Sequence, residues 1–562
     1  MKKSLIIKSA VIGGSCVTIV VPPIVIAAVE QPIGTIICND AIEQMRTFCK
    51  IPHCSEDAAH PDNLKGIADY IKNEAAKYLS KSAIHCDEAK NIWIDIPATE
   101  GLENCKKLVL QGHIDMVWDC IDPSVDKWTT PVADLVIDDV DGVQTVHGKD
   151  WWSNIGLDNG VAIATMLSLI KNQNKYVHGP IRCIFTVNEE NGGEPTGHSV
   201  GSLPKEVVSH DLGFDYLVNL DTGPIGNICF NSGGYYPADF NTDDEHNYLD
   251  QAEKAKDGTL FTISITGGSG GHSGVDIADS CNTIYYLVKT LNEINDGAIQ
   301  ISSFHSIGYG DTKIPDNATV SFVWPGKSLD DFQDKATRYF DKMHRQKFPA
   351  EKNMKIEISD ETITEQNTKW VYSANLSKTI TSFISNKLEV GPLEEYPEPE
   401  EAEMPFKVSG NLGILELEAE DGLFKFNYSN RYQERAYFAQ YYLADYIELF
   451  EEFKNQLLDI TSVEIPASYE NAWDTWNGNK DGVMAQLALQ CFKNQGIKNA
   501  HMVRVHGGLE CADFLVKNPD IDVVSIGPSV LKEHNRYESM ALDSYVSFNA
   551  TVVDMIQRMR YK

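Results

Sequence analysis

An apolar run, Val109-Leu110-Gln111, leads through Gly112 into His113 and Asp115, a His-x-Asp pair at the end of a strand-like segment. Neutral imidazole is a preferred ligand of zinc-like ions, and a nearby carboxylate can fix its tautomer and orientation. The triplet alone also fits an ordinary polar loop. What distinguishes it here is repetition along the chain. Asp158 lies in the turn Ile155-Gly156-Leu157-Asp158-Asn159-Gly160, just before a mostly apolar helix-like run, Val161 to Ile170. Glu189 and Glu190 follow the strand-like Ile181 to Val187, Asp221 follows Tyr216 to Leu220, and His534 comes after Val523 to Pro528. Two imidazoles and several carboxylates can hold a pair of divalent ions if one carboxylate bridges them.

Such residues need rigid elements behind them. From about residue 38, helix-like and strand-like segments alternate: helix over 63–79, strand over 91–96, strand over 107–110. Alternation of this kind predicts an α/β sheet with helices on its faces and ligands gathered at the carboxyl ends of strands. After Gly233-Gly234 the texture changes. A strand over 261–266 and a helix over 282–292 are followed by strands over 412–418 and 423–428, joined by a turn at Asp421-Gly422. The first texture returns with a helix over 483–492 and a strand over 501–505. The expected organisation is a catalytic domain of 38–235 and 466–562, split by an inserted α+β domain of 236–465.

Taken together the blocks resemble the M20 metallopeptidases, most nearly the aminoacyl-histidine (Xaa-His, carnosinase-like) dipeptidases. The resemblance runs from Ile51-Pro52-His53 and Pro97 to Asn104 through Leu110 to Val117 and Gly156 to Gly160. It continues through Gly267 to Gly274, His506 to Cys511 and Val524 to Pro528, in the family's order over nearly the whole chain beyond residue 40. It implies a di-metal exopeptidase-type α/β fold with an inserted lid and dimerisation domain. It also implies metal ligands His113, Asp158, Glu190, Asp221 and His534, with Asp158 bridging, for two divalent ions, zinc first and manganese or cobalt as alternatives. Glu189 would be the general base and Asp115 would orient His113. His272, in the Gly-rich turn, would stabilise the oxyanion, reaching the site in many members from a partner subunit, so a homodimer is expected. Arg431 would hold the substrate's free carboxylate, and Glu510 and Thr312 would line the substrate site.

Departures bear on specificity. Where close relatives carry Arg-Asn-Ala-Ile-Pro, with an Asn that helps bind substrate, this chain reads Asp311-Thr312-Lys313-Ile314-Pro315. Asn188 precedes the Glu pair where an acidic or hydroxyl residue is commoner, and Thr222-Gly223-Pro224 follows Asp221. The leading expectation is hydrolysis of Xaa-His dipeptides. A broader di- or tripeptidase, or an N-acyl amino acid hydrolase, competes with it, and so, from another class, does a non-catalytic binding protein on the same fold.

Length and composition agree with a folded enzyme of more than one core: 562 residues, 42% hydrophobic. A net charge of -33 opposes binding to nucleic acid or anionic membranes. The carboxylate-rich run Glu394 to Glu403 reads as an exposed loop. The 12 cysteines form no C-x-x-C pair, which gives a Cys-based zinc or redox site little support, while Cys49 and Cys54 leave a disulfide open. At the N-terminus no residue from Ser9 to Val29 is charged. Residues 1–30 therefore read as a signal peptide or anchor, giving a secreted or membrane-attached protein; the alternative is a cytoplasmic one.

Overall fold

The computed structural model describes residues 11–12, 15–16, 32–122, 124–191, 199–210, 213–242, 252–307, 312–396, 406–469 and 474–561. The proposed N-terminal signal therefore lies outside the described residues, apart from two two-residue strands, Val11–Ile12 and Ser15–Cys16.

The first large sheet has nine strands. Eight run in the order Trp476–Asn477, Asn227–Ser232, Asp522–Ser525, Tyr216–Asn219, Leu108–His113, Ile181–Thr186, Ile92–Ile96 and Ile84–Cys86, and His501–Val505 pairs with Asn227–Ser232. Its centre is parallel: Leu108–His113 lies between Ile181–Thr186 and Tyr216–Asn219, and the last of these pairs with Asp522–Ser525. Strands covered on both faces are mostly apolar, and every residue of Leu108–His113 and Ile181–Thr186 is buried, including the polar Gln111, His113, Arg182 and Thr186. The helices Ile33–Phe48, Leu157–Lys171 and Leu542–Met559 contribute to the core on one face, and a second apolar cluster around Phe214, Trp476 and Phe514 fills the other. Each fully buried aliphatic or Phe side chain contributes roughly 1.5–3 kcal/mol, which keeps the strand ends rigid.

The helix Leu157–Lys171 presses so closely on the central strand that a Cβ at Gly112 would collide with the Ala162 side chain. Gly156, which leads into the helix, has φ +67 and so adopts the left-handed conformation that glycine tolerates.

The second large sheet, also nine strands, is built from residues between Gly234 and Ser468 and is antiparallel in every pairing. The hairpin expected around Asp421-Gly422 forms, but its arms are longer than the alternation suggested: Phe406–Glu418 and Leu423–Tyr432. The helices Thr283–Ile294, Ala374–Lys387 and Leu443–Thr461 share a separate apolar core with this sheet. In it Phe383 stacks on Phe453 with ring centroids 3.8 Å apart.

The acidic loop expected over 394–403 is corrected at its start. Glu394 and Glu395 end the strand Gly391–Glu395, and Glu394 accepts hydrogen bonds from the hydroxyls of Tyr437 and Tyr442. Residues 397–403 lie outside the described residues. Cys49 and Cys54 are both buried free thiols, so the disulfide left open at that spacing is absent.

Candidate active site

Four carboxyl ends of parallel strands deliver the polar residues to one place. His113 is the last residue of its strand, Glu189 and Glu190 follow Ile181–Thr186, Asp221 follows Tyr216–Asn219, and His534 lies on the loop after Asp522–Ser525 with φ +61. Asp158 enters from the opening turn of Leu157–Lys171. His113, Asp158 and Asp221 bring ligand atoms within 4.8 Å of one another, and so do Asp158, Glu190 and His534. Asp158 is shared. Its Oδ1 lies 3.1 Å from His113 Nε2 and its Oδ2 3.2 Å from His534 Nε2. Glu190 Oε2 is 2.8 Å from His534 Nε2, and Asp221 Oδ2 is 3.8 Å from His113 Nε2.

The imidazole of His113 is oriented from behind. Its Nδ1 faces only acceptors, the Asp115 carbonyl oxygen at 3.1 Å and the Asp115 carboxylate at 3.4 Å. A proton held at Nδ1 leaves Nε2 as the atom that can ligate a cation. Asp115 does more than orient His113: its carboxylate accepts the backbone N–H groups of both Glu189 and Glu190 at 3.1 Å and the Ser55 hydroxyl at 2.7 Å. One carboxylate thereby ties the His113 strand to the turn that presents both glutamates.

Crowding of like charges sets the electrostatics. Burial, with Glu190, Glu510 and Asp158 adding to it, pushes Glu189 well above the usual carboxylate range despite His113 nearby. Asp221 is raised by burial and by Asp158, and Glu190 by burial and by Asp158 against the pull of His534. Burial alone would raise Asp158 too, but hydrogen bonds to His113 and His534 outweigh it and hold the group ionised. The residues fit a divalent pair. Two imidazoles and three carboxylates converge, Glu190 Oε1 is buried without a hydrogen-bond partner among the described residues, and cations would relieve the repulsion that raises these acids.

His272, on the two-residue strand Gly271–His272 of the second unit, reaches this cluster from the same chain. Its ring centroid is 5.2 Å from that of His534, and its Nε2 is 3.5 Å from Arg431 Nη2. Burial, followed by Arg431 and His534, pulls its pKa well down, so the imidazole is neutral. Arg431 is 4% exposed, donates from Nε to Ser273 Oγ at 3.0 Å, and packs over the Tyr235 ring. The Thr312 carbonyl accepts the Ser273 N–H at 2.7 Å, which places Thr312 beside His272. Asp311 lies outside the described residues. Glu510 is fully buried, accepts from Gln111 and from the Thr186 hydroxyl, and so sits beneath the site against the sheet.

Sequence reasoning missed Glu538. Its buried carboxylate accepts the backbone N–H groups of Ile155 at 3.1 Å, Leu157 at 3.0 Å and Asp158 at 3.3 Å, fixing the turn that carries the shared carboxylate. The available signal was a lone Glu four residues after His534, next to the apolar Ser539–Ala541 strand. Asn188, singled out as a departure, is a left-handed residue (φ +57) whose side-chain oxygen accepts the Glu56 N–H at 2.8 Å.

A mixed α/β fold with charged residues gathered at strand ends defines the class. Known proteins of that class agree with it. The cytosol non-specific dipeptidase of Escherichia coli is 24% identical over 523 residues, covering 92% of this chain and 96% of its own. The crystal structure of aminoacylhistidine dipeptidase from Vibrio alginolyticus superposes with a TM-score of 0.56 at 21% identity, over 92% of this chain and 96% of that one. A di-peptidase from Saccharomyces cerevisiae gives a TM-score of 0.51 at 11% identity, over 94% and 99%. No family model matches the chain. In fold and along nearly its whole length, the chain is thus similar to these dipeptidases. Among the described residues no helix is long and apolar enough to cross a membrane.

Proposed function

We propose that this protein is a metal-dependent dipeptidase that cleaves Xaa-His dipeptides within a broader dipeptide range. One observation carries the reading: two ligand triads share Asp158, with Glu189 beside them, at the carboxyl ends of parallel strands. Residues 38–235 and 466–562 act as the catalytic unit and 236–465 as its lid. His113, Asp158 and Asp221 would hold one divalent ion, and Asp158, Glu190 and His534 the other. Zinc suits this nitrogen and oxygen set, and manganese or cobalt could replace it. When bound, such ions would supply Lewis acidity for a peptide carbonyl and for the attacking water.

The protein's own groups complete the chemistry. Glu189, raised by burial, accepts the proton of the attacking water on its carboxylate and returns it to the leaving amine. Asp115 keeps Glu189 and Glu190 in place through their backbone N–H groups. Neutral His272 donates its ring N–H to the developing oxyanion, and Arg431 binds the substrate's terminal carboxylate. His272 comes from the same chain, so the reading needs no partner subunit. A base poised beside two ligand triads favours catalysis over passive binding. The cytosolic relative favours a retained N-terminus on a cytoplasmic protein, which the intact mass of the purified protein tests.

The deciding experiment is metal analysis together with hydrolysis of Ala-His, carnosine, Ala-Leu and acylated amino acids. Activity on dipeptides should vanish with chelation and return when divalent metal is restored. Metal-replete protein that cleaves no dipeptide would overturn the reading.

A further inference from the structure

A cavity of about 810 Å³, lined by Asn535 next to His534, has a size suited to small ligands. Residues around Trp118, Trp128 and Arg536 form one wall, and Gly267 to Ser269, Lys313 and Asp316 of the second unit form the other. Lys313 stands where the close relatives' Arg-Asn-Ala-Ile-Pro stretch carries Ala. It is 6% exposed, and among the described residues its ammonium makes no hydrogen bond; Asp119 Oδ1 lies 3.9 Å away. Its charge also acts on the Asp316 carboxyl, yet it is hydrogen-bonded to neither acid, which leaves its N–H donors open.

The acids that share the cavity are already engaged. Asp119 accepts the Arg536 N–H at 2.8 Å, Asp126 accepts from the Trp128 N–H and the Thr129 hydroxyl, and Asp316 accepts from Asn317 at 2.9 Å. Exposed Lys532 adds a second cation two residues from His534. Lys313 pairs directly with His272 across an antiparallel strand pair. Directly opposed residues project from the same face, so the ammonium lies on the side from which His272 meets His534.

We propose that Lys313 and this cavity form a subsite for a carboxylate-bearing substrate side chain, selecting dipeptides that contain Glu or Asp. The inference rests on the dipeptidase reading and adds a specificity to it. In a protein of net charge -33, an acidic substrate is repelled at long range, and a local buried cation reverses that preference within the site.

The test compares isosteric pairs, Glu-Ala with Gln-Ala and Ala-Glu with Ala-Gln, in kcat/KM and in calorimetric affinity, for the natural protein, Lys313→Met and Lys313→Arg. The expected result is a preference of about tenfold for the Glu peptide in at least one pair, lost in Lys313→Met and largely kept in Lys313→Arg. No Glu preference in the natural protein, or one that survives in a Lys313→Met protein with an unchanged melting temperature, would overturn it. If Lys313→Met does not fold, loss of the preference in Lys313→Arg, with its melting temperature kept, counts against a simple charge subsite. Failure to cleave any dipeptide would remove the dipeptidase reading, while the calorimetric ratio would still decide the subsite.

Discussion

Glu189 and Glu190 are adjacent in sequence and differ in their partners. Glu190 contacts His534 at 2.8 Å, whereas Glu189 is pushed up by burial and by three neighbouring carboxylates, which suits a proton acceptor. Glu189→Gln should lower kcat by about 10²–10⁴-fold while metal content per chain stays near that of the natural protein. Near-normal turnover in that variant would remove Glu189 from the chemistry. Glu538 acts one layer further out, and burial pushes its pKa up to about 7 even though it accepts three backbone N–H groups. Glu538→Gln puts an amide N–H against those donors and loosens the turn around Asp158. Metal affinity should fall about 10–100-fold; an unchanged affinity would show that the helix alone holds the turn.

At the level of elements, the first sheet supplies the acids and imidazoles from strand ends, while His272 comes from the short strand Gly271–His272 and Arg431 from an arm of the hairpin Phe406–Glu418/Leu423–Tyr432. Arg431 sits in Leu423–Tyr432, paired with Ser409 on one side and Tyr235 on the other, so its guanidinium is held in place by the sheet. If Arg431 binds the terminal carboxylate as proposed, Arg431→Ala should raise KM for free dipeptides by about tenfold or more and affect C-terminally amidated analogues, which lack that charge, little. Equal effects on both substrate types would mean that the guanidinium serves the fold or His272 instead.

Across the whole molecule the two units meet at His506, which follows the strand His501–Val505 of the first sheet. Gln433 donates to its Nδ1 at 3.2 Å, and its Nε2 lies 2.7 Å from the Ser409 hydroxyl. Burial, with Arg431 nearby, lowers its pKa to about 3. The unfolded imidazole titrates near 6.5, so between those values the unfolded state binds the extra proton. The stability due to neutral His506 is fully present above about pH 6.5 and falls below it by up to about 1.4 kcal/mol per pH unit. Urea unfolding at pH 7 and pH 5 should show a shallower loss for His506→Gln than for the natural protein. Equal losses would assign the acid sensitivity to other groups.

The chain's local pattern determined the α/β frame and the candidate ligands, because strands buried on both faces read as continuous apolar runs and polar residues at their ends stand out against them. His501–Val505 coincides with its expected bounds, and the helix starting at Val483 runs two residues beyond its expected end. Other features depend on contacts between residues tens to hundreds of positions apart, which periodicity does not encode. Glu538 reaches back to Ile155, the Asp115 carboxylate holds the glutamate turn, Glu510 lies under the sheet, and Lys313 is buried at the junction of the units. In the sequence these are isolated charged residues like many others in an acidic protein; only the packed structure decides which of them lose their water and find, or lack, a partner.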